Sequence, residues 1–252
     1  MNVIVCCPSY RRPKVETLDY LPFCRVYVDH NEALAYREKN PGADIVSCPE
    51  GIQGNLCRVR NYMLDREFKD GADVVCIIDD DMRLVSRYEP EGFYGYNRIP
   101  VTQSEFVPMI QEYSRLCREW GFYFWGINCN FDPLSYKHYT PFSTVAYIGG
   151  PFQVHLNNPI RYDESLPLKE DYDISLQHCC RNRGVLRVNK YHYLAKQATQ
   201  IGGCATYRTN DREKEQFALL QRKWGTRIVK TDKQSKREFD FNPILFIPIR
   251  GL

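Results

Sequence analysis

Asp73-Val74-Val75-Cys76-Ile77-Ile78-Asp79-Asp80-Asp81 decides the architecture. Asp73 to Ile78 reads as the most hydrophobic strand of the chain, expected at the centre of the sheet. Three carboxylates follow at once. In open α/β sheets, ligands gather outside the carboxyl ends of the strands, where the winding of the chain reverses. Adjacent carboxylates repel one another unless a cation or hydrogen-bond donors offset the charge. A hard divalent ion bridging protein oxygens to a diphosphate meets that need, and a solvated acidic turn is the plainer alternative.

Working upstream, Leu56, Val59 and Met63 recur at helical spacing, so Asn55 to about Phe68 is an amphipathic helix. Asn55 is its expected N-cap, and Gly71 ends it. Asn2–Cys7, Arg25–Val28 and Asp44–Cys48 are short strands separated by loop residues. Alternation of this kind predicts βαβ units and a mainly parallel sheet flanked by helices. Downstream, residues 104–119 place Phe106, Met109, Ile110, Tyr113 and Leu116 on one helical stripe. Phe122–Cys129 and Thr144–Ile148 are expected strands around an aromatic loop from Phe131 to Phe142. A helix from Glu170 to about Asn182 is expected to bury Tyr172, Leu176, Cys179 and Cys180 and to stop at Gly184. Val185–Leu194 alternates as a half-buried strand, and Asn210 with Glu213 suggests a capping box for a helix to Trp224. No repeat or linker divides residues 1–252, so one α/β domain is expected.

Composition narrows the function classes. Hydrophobic residues make up 43% and charged residues 26% of 252, an ordinary globular balance. Thirty-four basic against 31 acidic residues give only +3, which excludes a strongly basic nucleic-acid coat protein but leaves room for a local basic groove. The 11 cysteines contain no CxxC pair and no zinc-finger spacing, so they read as reduced thiols of an intracellular protein. No signal peptide is expected, because polar residues arrive by Ser9–Arg12; Ile244–Ile249 is far short of the ~20 residues that span a bilayer. No membrane partner is expected.

Further candidate residues lie where strands meet loops. Pro8-Ser9-Tyr10-Arg11-Arg12-Pro13 places a ring and two guanidinium groups where a base and a phosphate would suit them, or is an exposed turn. Gly51-Ile52-Gln53-Gly54-Asn55 leads into a helix carrying Arg58, Arg60 and Asn61, and a helix N-terminus favours an anion. It is not a P-loop, since the Lys-Ser/Thr ending is missing. Glu170-Asp171-Tyr172-Asp173 opens a helix, where acidic residues suit the dipole and where a carboxylate facing a cleft would serve as a general base. Ile148-Gly149-Gly150-Pro151-Phe152 is either a turn or a close approach of backbone to ligand. His192, between Tyr191 and Tyr193, is a metal ligand or a structural histidine.

In this order the motifs resemble the GT-A-fold nucleotide-sugar glycosyltransferases. Asp79-Asp80-Asp81 corresponds to their DxD motif and Glu170-Asp171 to their ED motif. The resemblance implies a UDP-sugar donor with Mn²⁺ or Mg²⁺, and residues 1–100 as the donor half with 101–252 as the acceptor half. Asp79 is implied on the ribose, with Asp81, Asp79 and His192 around the metal. Pro8, Tyr10, Arg11 and Asp29 would line the base pocket, with Gln53, Arg58 and Asp80 also on the donor. Gly149, Gly150 and Phe152 would shape the acceptor side of the site, and Asp171, with Glu170 beside it, would be the general base.

More narrowly, Cys7–Pro13, Gly51–Asn61 and Ile77–Met82 are similar to the TET-associated glycosyltransferases of bacteriophages. That resemblance implies sugar transfer to 5-hydroxymethylcytosine, or a related hydroxymethylpyrimidine, in DNA, in the cytoplasm of an infected bacterial host. Aromatics at Phe93-Tyr94-x-Tyr96, Trp120–Trp125 and Tyr136-x-His138-Tyr139 suit a flipped base or a sugar face, and about half of them are expected in the core. Basic residues gather at Arg181, Arg183, Arg187, Lys190, Lys196 and Arg208, and again over Arg222–Arg237. A glycosyltransferase with a glycan, lipid or protein acceptor, a sugar nucleotidyltransferase, and a non-catalytic DNA- or glycan-binding module are the alternatives.

Overall fold

Val74–Ile78 is buried at every residue. Val74, Cys76 and Ile78 join one hydrophobic cluster while Val75 and Ile77 join another on the opposite face, which is why the run shows no polar alternation. The structure, a computed structural model, describes residues 1–91, 95–133, 136–195, 202–232 and 242–249. Phe93, Tyr94, Lys196 and the basic residues Lys233, Lys236 and Arg237 lie outside the described residues.

The first elements are β1 (Val3–Pro8), α1 (Thr17–Tyr20), β2 (Arg25–Asp29), α2 (Ala33–Lys39), β3 (Ile45–Cys48), α3 (Leu56–Lys69), β4 (Val74–Ile78), β5 (Met82–Glu91) and β6 (Gly95–Pro100). Then follow α4 (Gln103–Glu119), β7 (Phe124–Asn128), β8 (Phe142–Ser143), β9 (Phe152–Leu156), α5 (Glu170–Asn182), β10 (Leu186–Ala195), α6 (Asn210–Trp224), β11 (Val229–Thr231) and β12 (Pro243–Leu245). The large sheet has the order β3-β2-β1-β4-β9-β7-β10-β5-β6, with β8 on β10. β1 pairs in parallel with both β2 and β4, whereas β9 runs against β4 and β7. The sheet is therefore mixed but mostly parallel, with α2 and α4 packed over one face and α3 and α5 over the other. The chain winds outward from β1 to β3 and then returns to place β4 on the other side of β1. That reversal leaves a crevice at the carboxyl ends of β1 and β4.

Local chemistry accounts for most boundaries. Asn55 caps α3 by accepting from the Arg58 amide, as expected. Thr102 and Glu105 form a capping box on α4. For α6 the expectation was one residue late: Thr209 is the N-cap, accepting from the Arg212 amide. Thr144–Ile148 is not a strand, since Ser175 Oγ takes the Ile148 amide (3.1 Å) and Gln153 Nε2 donates to the Ile148 carbonyl (3.2 Å). Side chains thus satisfy backbone that a neighbouring strand would otherwise pair. The strand pairing falls instead on β8 and β9. The hairpin of β5 and β6 had no expectation attached to it, because interspersed Arg83, Arg87 and Glu89 hide its apolar positions. Tyr172 is half-buried, and Cys180 is exposed rather than in the core. Eight cysteines are buried and all eleven are free thiols. No described helix is long and apolar enough to cross a membrane.

Candidate functional site

The crevice is built from two loops. After β1, Ser9 donates its hydroxyl to Asp80, and Arg12 Nη1 lies 3.0 Å from Asp80 and 3.7 Å from Asp81. After β4, Thr17 holds the acidic turn, donating to the Asp79 carbonyl (2.6 Å) and accepting from the Met82 amide (2.9 Å). Thr17 was not singled out as a site residue, because its partners are distant in sequence, and Arg12, expected to suit a phosphate, pairs instead with Asp80 and Asp81.

The triplet carries the expected electrostatic tension. Burial pushes the Asp80 carboxyl up to about 6, against the pull of Arg12 and Ser9. Asp81 is pushed up to about 7, by burial first and then by repulsion from Asp79 and Asp80. Asp79 sits in a recess with 35% of its side chain exposed, and desolvation raises its pKa while Arg60 and Arg12 oppose the rise. These are hard oxygen donors short of positive charge, which fits a divalent ion. Among the described residues no three His, Cys, Asp or Glu side chains converge as a complete cage. An ion held here would therefore complete its shell with phosphate oxygens and water, as Mg²⁺ commonly does.

His192 is not beside the triplet. Its Cα pairs with Ser86, four residues along β5 from Met82, roughly 13 Å at ~3.3 Å per residue. There it is buried and stacked on Tyr88, with ring centroids 4.4 Å apart. Burial lowers its pKa to about 4, so the ring is neutral, but register alone keeps it from a metal at Asp81. Phe152 is likewise a core residue, 1% exposed, with its ring 6.1 Å from Phe106 and 5.9 Å from Trp125. Arg58 points away from the carboxylates, bonded to Glu164 (2.9 Å) and the Gly51 carbonyl (2.6 Å).

The other expected donor residues share one rim. The Tyr27 carbonyl accepts from the Ser9 amide (2.9 Å) and lies 3.4 Å from Gln53 Nε2, which draws the ends of β1 and β2 toward the Gly51–Gly54 loop. Pro8 pairs with Tyr27, and Asp29 with Cys48, so these residues end neighbouring strands. Arg11, in the left-handed region at φ 57°, lies over the Tyr10 ring at 4.9 Å and donates its amide to Glu32.

Arg60 joins the two halves of the site. It is 1% exposed, and its terminal nitrogens reach Gln153 Oε1 (2.9 Å), the Gly150 carbonyl (3.0 Å), Asp79 (3.4 Å) and Glu170 (3.4 Å). Asp171 accepts from the Tyr147 hydroxyl, from the Gly150 amide (3.3 Å) and, at its other oxygen, from the Tyr172 amide (2.8 Å). A Cβ on Gly150 would lie 3.5 Å from each of Arg60, Asp171 and Glu170, so the three groups meet at this glycine. At Gly149 a Cβ would come within 2.5 Å of Cys129 Sγ, so that glycine serves close packing. Burial and the neighbouring Asp171 charge raise the Glu170 pKa, and Arg60 counters them. The signal for Arg60 was present, since Val59 and Met63 face the core and Arg60 lies on the adjoining face of α3. It was hidden by the more exposed-looking Arg58.

The described aromatics of these clusters divide between core and surface, close to the half expected in the core. Phe122, Phe124, Trp125 and Tyr136 are buried, whereas Trp120, Tyr123, Phe131 and Tyr139 are exposed.

No family model matches this sequence, and no curated protein matches it. Among solved structures the chain is similar to glucosyl-3-phosphoglycerate synthase from Mycobacterium tuberculosis. Against its complex with Mn²⁺, UDP and glucosyl-3-phosphoglycerate, the TM-score is 0.50 at 12% identity, covering 92% of this chain and 84% of that chain. Against its complex with Mn²⁺, UDP-glucose and phosphoglyceric acid, the TM-score is again 0.50 at 12% identity, covering 94% and 86%. The likeness is one of fold: the expected GT-A sheet, with helices on both faces, is the architecture observed.

Proposed function

We propose that this chain is a metal-dependent glycosyltransferase that moves a sugar from a UDP-sugar to the hydroxymethyl group of 5-hydroxymethylcytosine, or a related hydroxymethylpyrimidine, in DNA. The observation that carries the general reading is the Arg60 junction. It ties the acidic turn after β4 to the carboxylates that open α5, across Gly150. A donor-holding group and a proton-accepting group thus face one crevice. The synthase of like fold is seen with Mn²⁺ and UDP-glucose, which supports the donor and the metal. The acceptor rests on the resemblance of Cys7–Pro13, Gly51–Asn61 and Ile77–Met82, with Trp120, Tyr123 and Tyr139 as exposed rings.

In this mechanism Pro8, Tyr10, Arg11, Asp29 and Gln53 receive the nucleoside, and Asp79 its ribose. Asp81 and Asp79 would hold Mn²⁺ or Mg²⁺, which would supply charge neutralisation for the departing diphosphate. Asp171 takes the proton of the acceptor hydroxyl at Oδ2, the oxygen already oriented by Tyr147 and the Gly150 amide. Glu170, bound to Arg60, keeps Asp171 and Asp79 on one rigid frame. Gly150 leaves room at the point where these groups converge.

Mass spectrometry of hydroxymethylated DNA after incubation with a panel of UDP-sugars and Mn²⁺ tests both parts. A hexose mass on the nucleoside supports donor and acceptor together. UDP release with no DNA product removes the DNA acceptor and keeps the transferase. Pyrophosphate release from nucleoside triphosphate and sugar phosphate assigns a nucleotidyltransferase instead.

A further inference from the structure

A second recess shares Tyr147 with the Asp171 site. Its volume is about 400 Å³, and its walls include Ser143, Ala146, Tyr147, Arg187 and Phe246. Tyr147 belongs to both places: it lines the recess, and its hydroxyl donates to Asp171. Arg187 stands on β10, opposite Ser143 of β8 in the antiparallel register and opposite Gly126 of β7.

The charge on Arg187 is poorly compensated. Its Nε donates to Asn189 Oδ1 at 2.9 Å, and among the described residues no carboxylate forms an ion pair with it. Half-burial depresses its pKa, and only the Cys129 thiol acts in the other direction. Three other guanidinium groups near the crevice are matched: Arg12 with Asp80, Arg58 with Glu164, and Arg60 with Asp79 and Glu170. A desolvated cation without a counter-ion is costly unless something else supplies the negative charge. A guanidinium also presents a planar fork that suits two oxygens of a phosphate or carboxylate. Its nitrogens beyond Nε donate to no described protein group, and Arg187 lines the recess.

We infer that the Arg187 recess is an anion subsite of the acceptor, which seats a phosphate or carboxylate while the acceptor hydroxyl lies at Asp171. This rests on the transferase reading and names the chemistry of its acceptor. A small phosphorylated or carboxylated molecule and a phosphate of a DNA strand are two sources of the same group. The recess is large enough for one such unit together with its carbon frame.

The test uses the full chain without metal and inorganic phosphate as the probe. Phosphate affinity is measured by calorimetry and by the rise in melting temperature, for wild type, Arg187→Gln, Arg187→Met and Arg187→Lys. Wild type is expected to bind phosphate, the Gln and Met variants to lose tenfold or more, and Lys to restore part of the loss. The Gln and Met variants should melt no lower than wild type without phosphate, because they remove an uncompensated charge. Equal phosphate affinity in wild type and Arg187→Gln, or no binding by wild type, overturns the subsite. Arg187→Lys keeps the test decisive if the neutral variants do not fold. Displacement of phosphate by a single-stranded oligonucleotide identifies a nucleic-acid source, and displacement only by small phosphate monoesters identifies the other. UDP binding in the presence of Mn²⁺ separates the two readings. Phosphate binding lost at Arg187 with UDP binding intact supports the subsite. Intact Arg187-dependent phosphate binding in a chain that turns over no UDP-sugar refutes the transferase alone.

Discussion

Replacing Arg60 with Met tests whether the buried guanidinium is the keystone of the crevice. The change leaves Gln153 Oε1, the Gly150 carbonyl, Asp79 and Glu170 without their shared donor, in a position 1% exposed. Removing one partner of a buried ion pair costs about 3–5 kcal/mol, because the remaining charge is stranded. For a chain of this length that corresponds to roughly 6–20 °C in melting temperature.

The loss depends on pH with a defined sign. Asp79 and Glu170 already have raised pKa values, and Arg60 opposes the rise at both. Without it both climb further. A carboxyl whose folded pKa exceeds its unfolded value binds its proton in the folded state first, so folding is disfavoured as pH rises through that window and favoured as pH falls. Arg60→Met should therefore regain stability on acidification, by about 1.4 kcal/mol for each added unit of pKa. Urea unfolding followed by the fluorescence of buried Trp125, at about pH 8.5 and about pH 5.5, measures both quantities. A loss under about 1 kcal/mol at the higher pH, or the same loss at both, would refute the reasoning.

Three more outcomes follow from the same site. Asp81→Asn should abolish Mn²⁺-dependent UDP binding in calorimetry while raising the melting temperature at neutral pH, since it removes a carboxylate that burial and its neighbours disfavour; a normal UDP affinity would remove Asp81 from the metal. Asp171→Asn should spare UDP binding and reduce transfer by roughly 10²–10⁴-fold, with Tyr147→Phe showing a smaller loss in the same assay. Unchanged transfer in Asp171→Asn would take the base elsewhere. Metal-dependent UDP affinity should increase as pH rises through about 6 to about 7, where Asp80 and Asp81 ionise, while the metal-free fold becomes less stable over the same interval. A flat affinity profile would contradict the placement of the metal.

The β1 and β4 side of the crevice was legible because it is encoded locally. A run buried on both faces, a cap at Asn55 and an acidic turn each occupy a few consecutive residues. A mainly parallel sheet flanked by helices follows from the alternation of such pieces. What escaped detection depends on distant contacts. His192 has suitable chemistry, but only the pairing of β10 with β5 reveals that it lies far from Asp81. Arg58 and Arg60 are the same residue type two positions apart, and only the side chains of β9 and α5 distinguish the half-buried one from the buried one. Phe152 follows two glycines in the manner of a ligand-shaping loop, yet it begins a strand whose side chains are all buried. The Ile148 segment lost its expected strand to a side-chain acceptor on α5 and a side-chain donor on β9, a competition that periodicity does not register.

The position of β4 has a consequence for the chain as it is made. Its neighbour on one side, β1, precedes it, but its neighbour on the other, β9, comes about 75 residues later. At ~5–20 residues per second, the nascent chain holds the most apolar strand of the sheet as a bare edge for several seconds. Val74–Ile78 would template pairing with any other extended chain during that interval. The acidic triplet directly behind it puts fixed negative charge at the end of that edge, where like charges on a second nascent chain would repel. The same carboxylates that would hold a metal in the finished protein therefore also act as a gatekeeper against aggregation before the sheet closes.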